Sequence, residues 1–338
     1  MQKNKFIPRE FFLLGRSTWA TWLLKALVAA GLLFYLVRAI NLADIIDAIQ
    51  NASHGFLIAA FVLSLVNITV QCLRWRLFVS TDVPNITFFR CLSSLLGGFA
   101  IGLITPGRIG EIGRIFLLKV PSRIRLAGLH VLDKMYTFGA IALSGPLLLF
   151  LFPGFRSVVP ESLTMGIGIL VGILPLIYLW FAIDPRVLKS LFYGIQIAFR
   201  SKPKIAKVIE AFDGLTIYHT SRALILTLIQ LGIILTQFFL ITLSFQPVRW
   251  LVAAHTYSVV LFIKTALPVS LGSLGIGEWA AVSLYHRYGI ADTTAFSSSL
   301  LLFGMNVLLP ALVGLIILIN ARPQSVKKTV SKDGGETE

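Results

Sequence analysis

Six stretches of this chain are apolar for long enough to cross a bilayer: Trp19–Ile40, Phe56–Phe78, Ala127–Phe152, Leu163–Ile183, Ala223–Phe245 and Thr293–Asn320. A spanning helix needs roughly 20 mostly apolar residues. In lipid, every backbone polar group must bond within its own segment, so helices are the default. Strict two-residue alternation, which a barrel strand would show, is absent. Only 13% of the 338 residues are charged and 56% are hydrophobic, against about 25% charged in a soluble domain. The expectation is an all-α polytopic membrane protein.

The charges set the expected topology. A net charge of +15 could suggest nucleic acid, but the basic residues sit in loops beside apolar runs, which is the positive-inside pattern. A basic arm (residues 1–18) stays in the cytoplasm, and the first run is too long for a cleavable signal. The first outside loop holds Asp44 and Asp47. The second span returns at Arg74-Trp75-Arg76, where the arginines read as interface anchors. The segment 184–222 is basic and cytoplasmic. Within it, Ile205–Tyr218 has helical apolar spacing and is expected to lie along the membrane surface. The tail 321–338 is polar and cytoplasmic.

Two shorter apolar stretches break at Gly/Pro-rich sequence and read as re-entrant hairpins. Phe88–Leu118 has basic residues on both flanks, so it dips in and returns, with its tip near Thr105-Pro106-Gly107. Leu251–Tyr288 begins and ends outside. The domain 19–320 then divides into halves 19–152 and 163–320, each reading span, span, hairpin, span. Three full crossings per half invert the second half relative to the first. The hairpins echo one another: Thr105-Pro-Gly-Arg-Ile-Gly-Glu111 and Gly272-Ser-Leu-Gly-Ile-Gly-Glu278. Inverted repeats with broken helices meeting near the midplane are a transporter architecture.

Chemistry is expected at these tips. Gly107, Gly110, Gly272, Gly275 and Gly277 permit tight turns and close approach. Pro106 suits the first turn of a following helix capped by Thr105, and Pro268 precedes the second break. A helix start there favours an anion. Glu111 and Glu278 either cap these starts or pair with cations and touch a polar headgroup. Arg108 and Arg114 either clamp phosphate or anchor the cytoplasmic side. Asp133 and Lys134, early in the third span, are placed to pair with hairpin residues such as Arg114 and Glu111. Lys264 is deep in the second hairpin, and Arg287 completes the ionisable set. Asn306 reads as glue between helices. The five histidines and two cysteines show no metal spacing, and no nucleotide loop or nucleophile motif occurs. No metal, cofactor or catalytic residue is expected.

Arg74-Trp-Arg76, Thr105-Pro-Gly-Arg-Ile-Gly-Glu111-Ile-Gly-Arg114, Asp133 and Leu267-Pro-Val-Ser-Leu-Gly-Ser-Leu-Gly-Ile-Gly-Glu278 together resemble the flippase-like family. This is the transmembrane region of lysylphosphatidylglycerol synthases and related membrane proteins. The resemblance covers about residues 20–320. One departure stands out: the second motif carries Gly277-Glu278-Trp279 where an Arg-Glu pair or similar is expected. The resemblance implies an inner-membrane protein that moves a lipid between leaflets. The synthase's aminoacylating domain has no room after the last span, so lipid aminoacylation is not expected. Polyprenyl-linked sugars join phospholipids as possible substrates, because relatives of this type occur with glycosyltransferases. The leading expectation is a lipid translocase. Its alternatives are a membrane enzyme acting on lipid-linked substrates and an accessory subunit that places a glycosyltransferase or lipid-modifying enzyme.

Overall fold

The computed structural model describes residues 50, 52–103, 105, 107–118, 120, 122–150, 161–198, 209–267 and 275–320. The first expected span, the tip residues Pro106, Pro268 and Gly272, and both termini lie outside these residues. The described elements are helical: α1 (His54–Val79), α2 (Phe88–Leu103), a 3-10 segment (Ile109–Leu117), α3 (Arg123–Phe150), α4 (Glu161–Ile183), α5 (Pro185–Ala198), α6 (Ile217–Phe245), α7 (Trp250–Ala266), α8 (Ile276–Tyr285), α9 (Asp292–Phe303) and α10 (Leu309–Asn320). A π-helical turn, Gly304–Leu308, joins α9 to α10.

Among the described residues, α1, α6 and the continuous run Asp292–Asn320 are long and apolar enough to span a membrane. A fourth span forms if α4 and α5, which meet at a bend of 93°, are counted together. Their outer faces carry Ile58, Leu65, Leu170, Leu176, Trp180, Ile229 and Ile316, all strongly exposed. Such faces need lipid as their solvent. The chain is therefore a membrane protein whose described elements are all helical. α3 is 28 residues long, but Arg123, Arg125, Asp133 and Lys134 keep it from reading as a purely apolar span.

One expectation changes here. Residues Ile209–Leu215 do not continue a surface helix. They turn at Ala211–Gly214, with Ile209, Ala211 and Phe212 buried. Phe212 packs on Phe192 of α5, with ring centroids 4.7 Å apart. α5 leaves α4 at Asp184, whose Oδ1 accepts a hydrogen bond from the Arg186 N–H at 2.8 Å. A proline at the first helical position suits that start.

Packing follows a regular scheme. α1 packs on α6. α2 packs on α1, on the 3-10 segment and on α10, while α7 packs on α6, on α8 and on α3. The 3-10 segment and α1 touch α3 just as α8 and α6 touch α9. Exchanging the two halves leaves this scheme unchanged. α1 and α6, counterparts in it, run antiparallel: Ser53 N–H donates to Ser244 O at 2.8 Å, Gln237 Nε2 to Ala60 O at 3.0 Å, and Arg74 Nη1 to Thr227 Oγ1 at 2.8 Å.

Close approach depends on small residues. A Cβ on Gly314 would lie 1.9 Å from the Leu96 carbonyl oxygen, so α10 and α2 meet backbone to backbone. Gly98 and Gly102 give Arg114 and Glu111 room against α2. One apolar cluster gathers Trp75, Phe78, Leu95, Leu126, Leu129 and Leu132. A second forms around Phe238, stacked on Tyr257 at 4.3 Å and on Tyr285 at 5.5 Å.

Candidate functional site

A buried polar network centres on Asp133 of α3. Its Oδ1 accepts from Arg74 Nε at 2.6 Å and its Oδ2 from Arg114 Nη2 at 2.7 Å. Arg74 is buried too, which corrects its reading as an interface anchor. Its remaining nitrogens donate to Thr227 Oγ1 and Gln230 Oε1, both at 2.8 Å, and to Thr137 Oγ1 at 2.7 Å. The guanidinium thus joins α1, α3 and α6 at a single point. A charge removed from water is tolerated only when its hydrogen-bonding positions are filled this way. Sequence reasoning passed over Thr137, Thr227 and Gln230. The signal that would have found them is a polar side chain within an otherwise apolar run.

Arg114 lies flat on Trp75, its guanidinium carbon 3.7 Å from the ring centroid. Ser94 ties the same wall together: its hydroxyl donates to Arg114 O at 2.8 Å and accepts from Trp75 Nε1 at 3.4 Å. Arg114 is thereby committed to Asp133 and Trp75 rather than to an open phosphate-binding face.

Glu111, also buried, accepts from Lys134 Nζ through Oε2. Its Oε1 lies 2.5 Å from Arg108 Nε in an ion pair. The structure therefore joins Asp133 to Arg114 and Lys134 to Glu111, the pairings their positions suggested. Arg108 and Lys134 keep 25% and 30% of their side chains exposed, while Glu111 keeps 2%. Two partly exposed cations thus share a buried anion.

The backbone at this tip is unusual. Thr105 Oγ1 donates to Gly102 O at 2.9 Å and accepts from Gly110 N–H at 2.8 Å, clasping the end of α2 to the start of the next segment. Gly107 and Arg108 both sit in the left-handed region, at φ 59° and 58°. The next nine residues form a 3-10 segment rather than the expected α-helix start. Runs of that length are uncommon, because 3-10 hydrogen bonds are poorer. Here the contacts of Glu111 and Arg114 hold it.

The second tip is built differently. Glu278 is fully buried; Oε2 accepts from Gly275 N–H at 2.7 Å and Oε1 from Ser299 Oγ at 3.2 Å. It caps the start of α8 and fastens it to α9, the capping role among its two readings. Gly275, at φ 85°, makes the turn. Lys264 lies across Gly277, where an added Cβ would come within 3.0 Å of its Nζ. Lys264 is within electrostatic range of both Glu278 and Arg108. α7, which carries Lys264, packs on α3, which carries Lys134, so the two tips share a neighbouring helix. Arg287 stands apart on an exposed turn.

Beside these charges runs a narrow cleft between α3, α6 and α7, lined by Ala140, Ile141, Leu231, Ile234 and Leu261, with Thr137, Thr227 and Gln230 among its walls. A separate amide ladder stitches the spans: Asn67 Nδ2 donates to Asn306 Oδ1 and Asn306 Nδ2 to Gln237 Oε1, each at 2.7 Å. Asn306 is thus glue between helices.

The chain is 25% identical over 337 residues to a UPF0104 membrane protein of Methanothermobacter thermautotrophicus (strain Delta H), covering 90% of this chain and 94% of that one. Residues 22–314, which include every charged residue of both tips, match the lysylphosphatidylglycerol synthase TM region. The chain belongs to the lysylphosphatidylglycerol synthase TM region family.

Proposed function

We propose that this protein is a flippase-like lipid translocase of the cytoplasmic membrane, moving a phospholipid or polyprenyl-linked lipid between leaflets without altering it chemically. In this reading the chain makes six crossings and two re-entrant hairpins, with both termini in the cytoplasm. The halves form an inverted repeat. The support is geometric: counterpart helices α1 and α6 run antiparallel, as a two-fold axis perpendicular to them requires. An axis perpendicular to spanning helices lies in the membrane plane. Two halves so related offer the same gate to opposite leaflets, which is what alternating access needs.

The observation that carries the proposal is the ion-paired group Arg108–Glu111–Lys134, whose α3 member packs on α7 of the second half. Ionisable groups at membrane depth are costly, and they mark substrate paths more often than scaffolding. The headgroup would cross along the seam between the halves, past the two tips, while the acyl or prenyl chains stay in lipid. Rocking of one half against the other would open each side in turn. Glycosyltransferases and lipid-modifying enzymes are the partners that would supply or consume such a lipid.

The test is reconstitution of the whole chain in liposomes with labelled lipids, following leaflet exchange and chemical conversion together. Exchange without conversion, reduced at least tenfold by Glu111→Gln, is expected. Conversion of the lipid would indicate an enzyme. Neither exchange nor conversion would leave the accessory-subunit reading and sink this one.

A further inference from the structure

We infer that the seam binds an anionic, phosphate-bearing lipid headgroup that has no amine of its own, through Arg108, Lys134 and Lys264. The inference rests on the translocase reading for its lipid, but not for its charge. Five cations gather about the two tips and the Asp133 network: Arg74, Arg108, Arg114, Lys134 and Lys264. Among the described residues, three carboxylates face them: Glu111, Asp133 and Glu278.

The surplus is not spread evenly. Arg74 and Arg114 are committed to Asp133, to neutral acceptors and to the Trp75 ring. Glu111 alone answers both Arg108 and Lys134. Glu278 has both oxygens engaged with Gly275 and Ser299. Lys264 makes no ion pair or hydrogen bond among the described residues, although it lies near Arg108 and is half-buried. Three partly exposed cations from both halves therefore face two carboxylates: Glu111, which pairs directly with Arg108 and Lys134, and Glu278, which lies near Lys264 without pairing with it. Positive charge gathered in a low-dielectric interior is costly unless an anion joins it.

The backbone points to the same place. Arg108 is the one non-glycine residue with a left-handed φ among the described residues. Strain of this kind collects where a side chain must be aimed at a ligand. Its guanidinium also lies 5.0 Å from the Phe99 ring centroid, which steadies its direction. A phosphate oxygen can accept from a guanidinium and from ammonium groups at once. A headgroup bearing its own amine would bring a further positive charge against three already present. The site would reject an aminoacylated lipid by repulsion, whatever the attraction of its phosphate.

The experiment uses the full chain in detergent micelles, doped in separate arms with phosphatidylglycerol, a polyprenyl monophosphate, phosphatidylcholine or lysylphosphatidylglycerol, with inorganic phosphate as a further arm. Thermal unfolding and lipid retained in native mass spectra are the readouts. Phosphatidylglycerol and the polyprenyl phosphate should bind and raise Tm, and the other three should not. Lys264→Gln, which breaks no ion pair present here, should weaken anionic-lipid binding about tenfold, as loss of one charge-assisted contact does. Lys264→Arg should restore it. Equal binding of the lysyl lipid, a Lys264→Gln protein that binds as well as wild type, or an equal effect of inorganic phosphate would overturn the inference. The two readings fail separately. Selective binding without leaflet exchange leaves this site and removes the translocase. Exchange indifferent to headgroup and to Lys264 does the reverse.

Discussion

Arg74 and Asp133, 59 residues apart in sequence, meet at 2.6 Å inside the bundle, and the arginine's other donors reach α6. Through Thr227 and Gln230, Arg74 ties the first half to the second. It also makes the surroundings of Asp133 a scaffold, in contrast to the partly exposed cations at the tips. Breaking one member of a buried pair leaves the other uncompensated, at a cost of about 3–5 kcal/mol. Arg74→Ala should therefore lower thermal stability in detergent sharply. Arg74→Lys should rescue little, since an ammonium cannot reach four acceptors with planar geometry. Stability equal to wild type in Arg74→Ala would show that the network is dispensable.

Glu278 caps α8 through the Gly275 N–H. Glu278→Gln keeps an acceptor oxygen and loses charge, whereas Glu278→Ala loses the cap. Alanine should cost about 0.5–2 kcal/mol, as cap losses do, and glutamine less. Thermal denaturation of the pair decides this. A loss for glutamine as large as that for alanine would mean that the charge on Glu278 matters more than its cap.

Gly314 is the point where α10 meets the backbone of α2. A methyl group there has no flexible side chain to displace. Gly314→Ala should destabilise by about 1–3 kcal/mol, the usual cost of overpacking, and Gly314→Leu should prevent stable purification. Gly232 has open space around its Cβ position, so Gly232→Ala is the matched control and should be tolerated.

The amide ladder Asn67–Asn306–Gln237 crosses three spans. Interhelical hydrogen bonds in membranes average about 0.6 kcal/mol. Asn306→Leu should therefore cost about 1 kcal/mol, far less than Arg74→Ala. An Asn67→Leu/Asn306→Leu double variant should fall short of the summed single effects, because both act on one bond. Strict additivity would argue against coupling.

Antiparallel α1 and α6 place their C-terminal ends on opposite faces of the membrane. The turn after α1 exposes Asn85 and the turn after α6 exposes Arg249. With Cys72 and Cys91 both buried, background labelling should be low. An impermeant thiol reagent should label Asn85→Cys only from the cytoplasmic side and Arg249→Cys only from outside. Labelling of both from one side would end the proposed topology.

The membrane class was legible in the residues alone, because no soluble fold can bury so many long apolar runs. So were the Lys134–Glu111 and Asp133–Arg114 pairings, since charges within apolar sequence must find partners nearby. The fate of Arg74 was not. An arginine at the end of a span can reach for water or turn inward, and the choice depends on Thr227 and Gln230, over 150 residues further on. Nor could two glutamates in look-alike motifs be told apart without the packed bundle. Glu278 meets a backbone N–H and a serine, while Glu111 meets two cations, and only the packing of α3 and α9 against the tips sets that difference. Local sequence dictates where charge must be buried; tertiary contacts dictate what neutralises it.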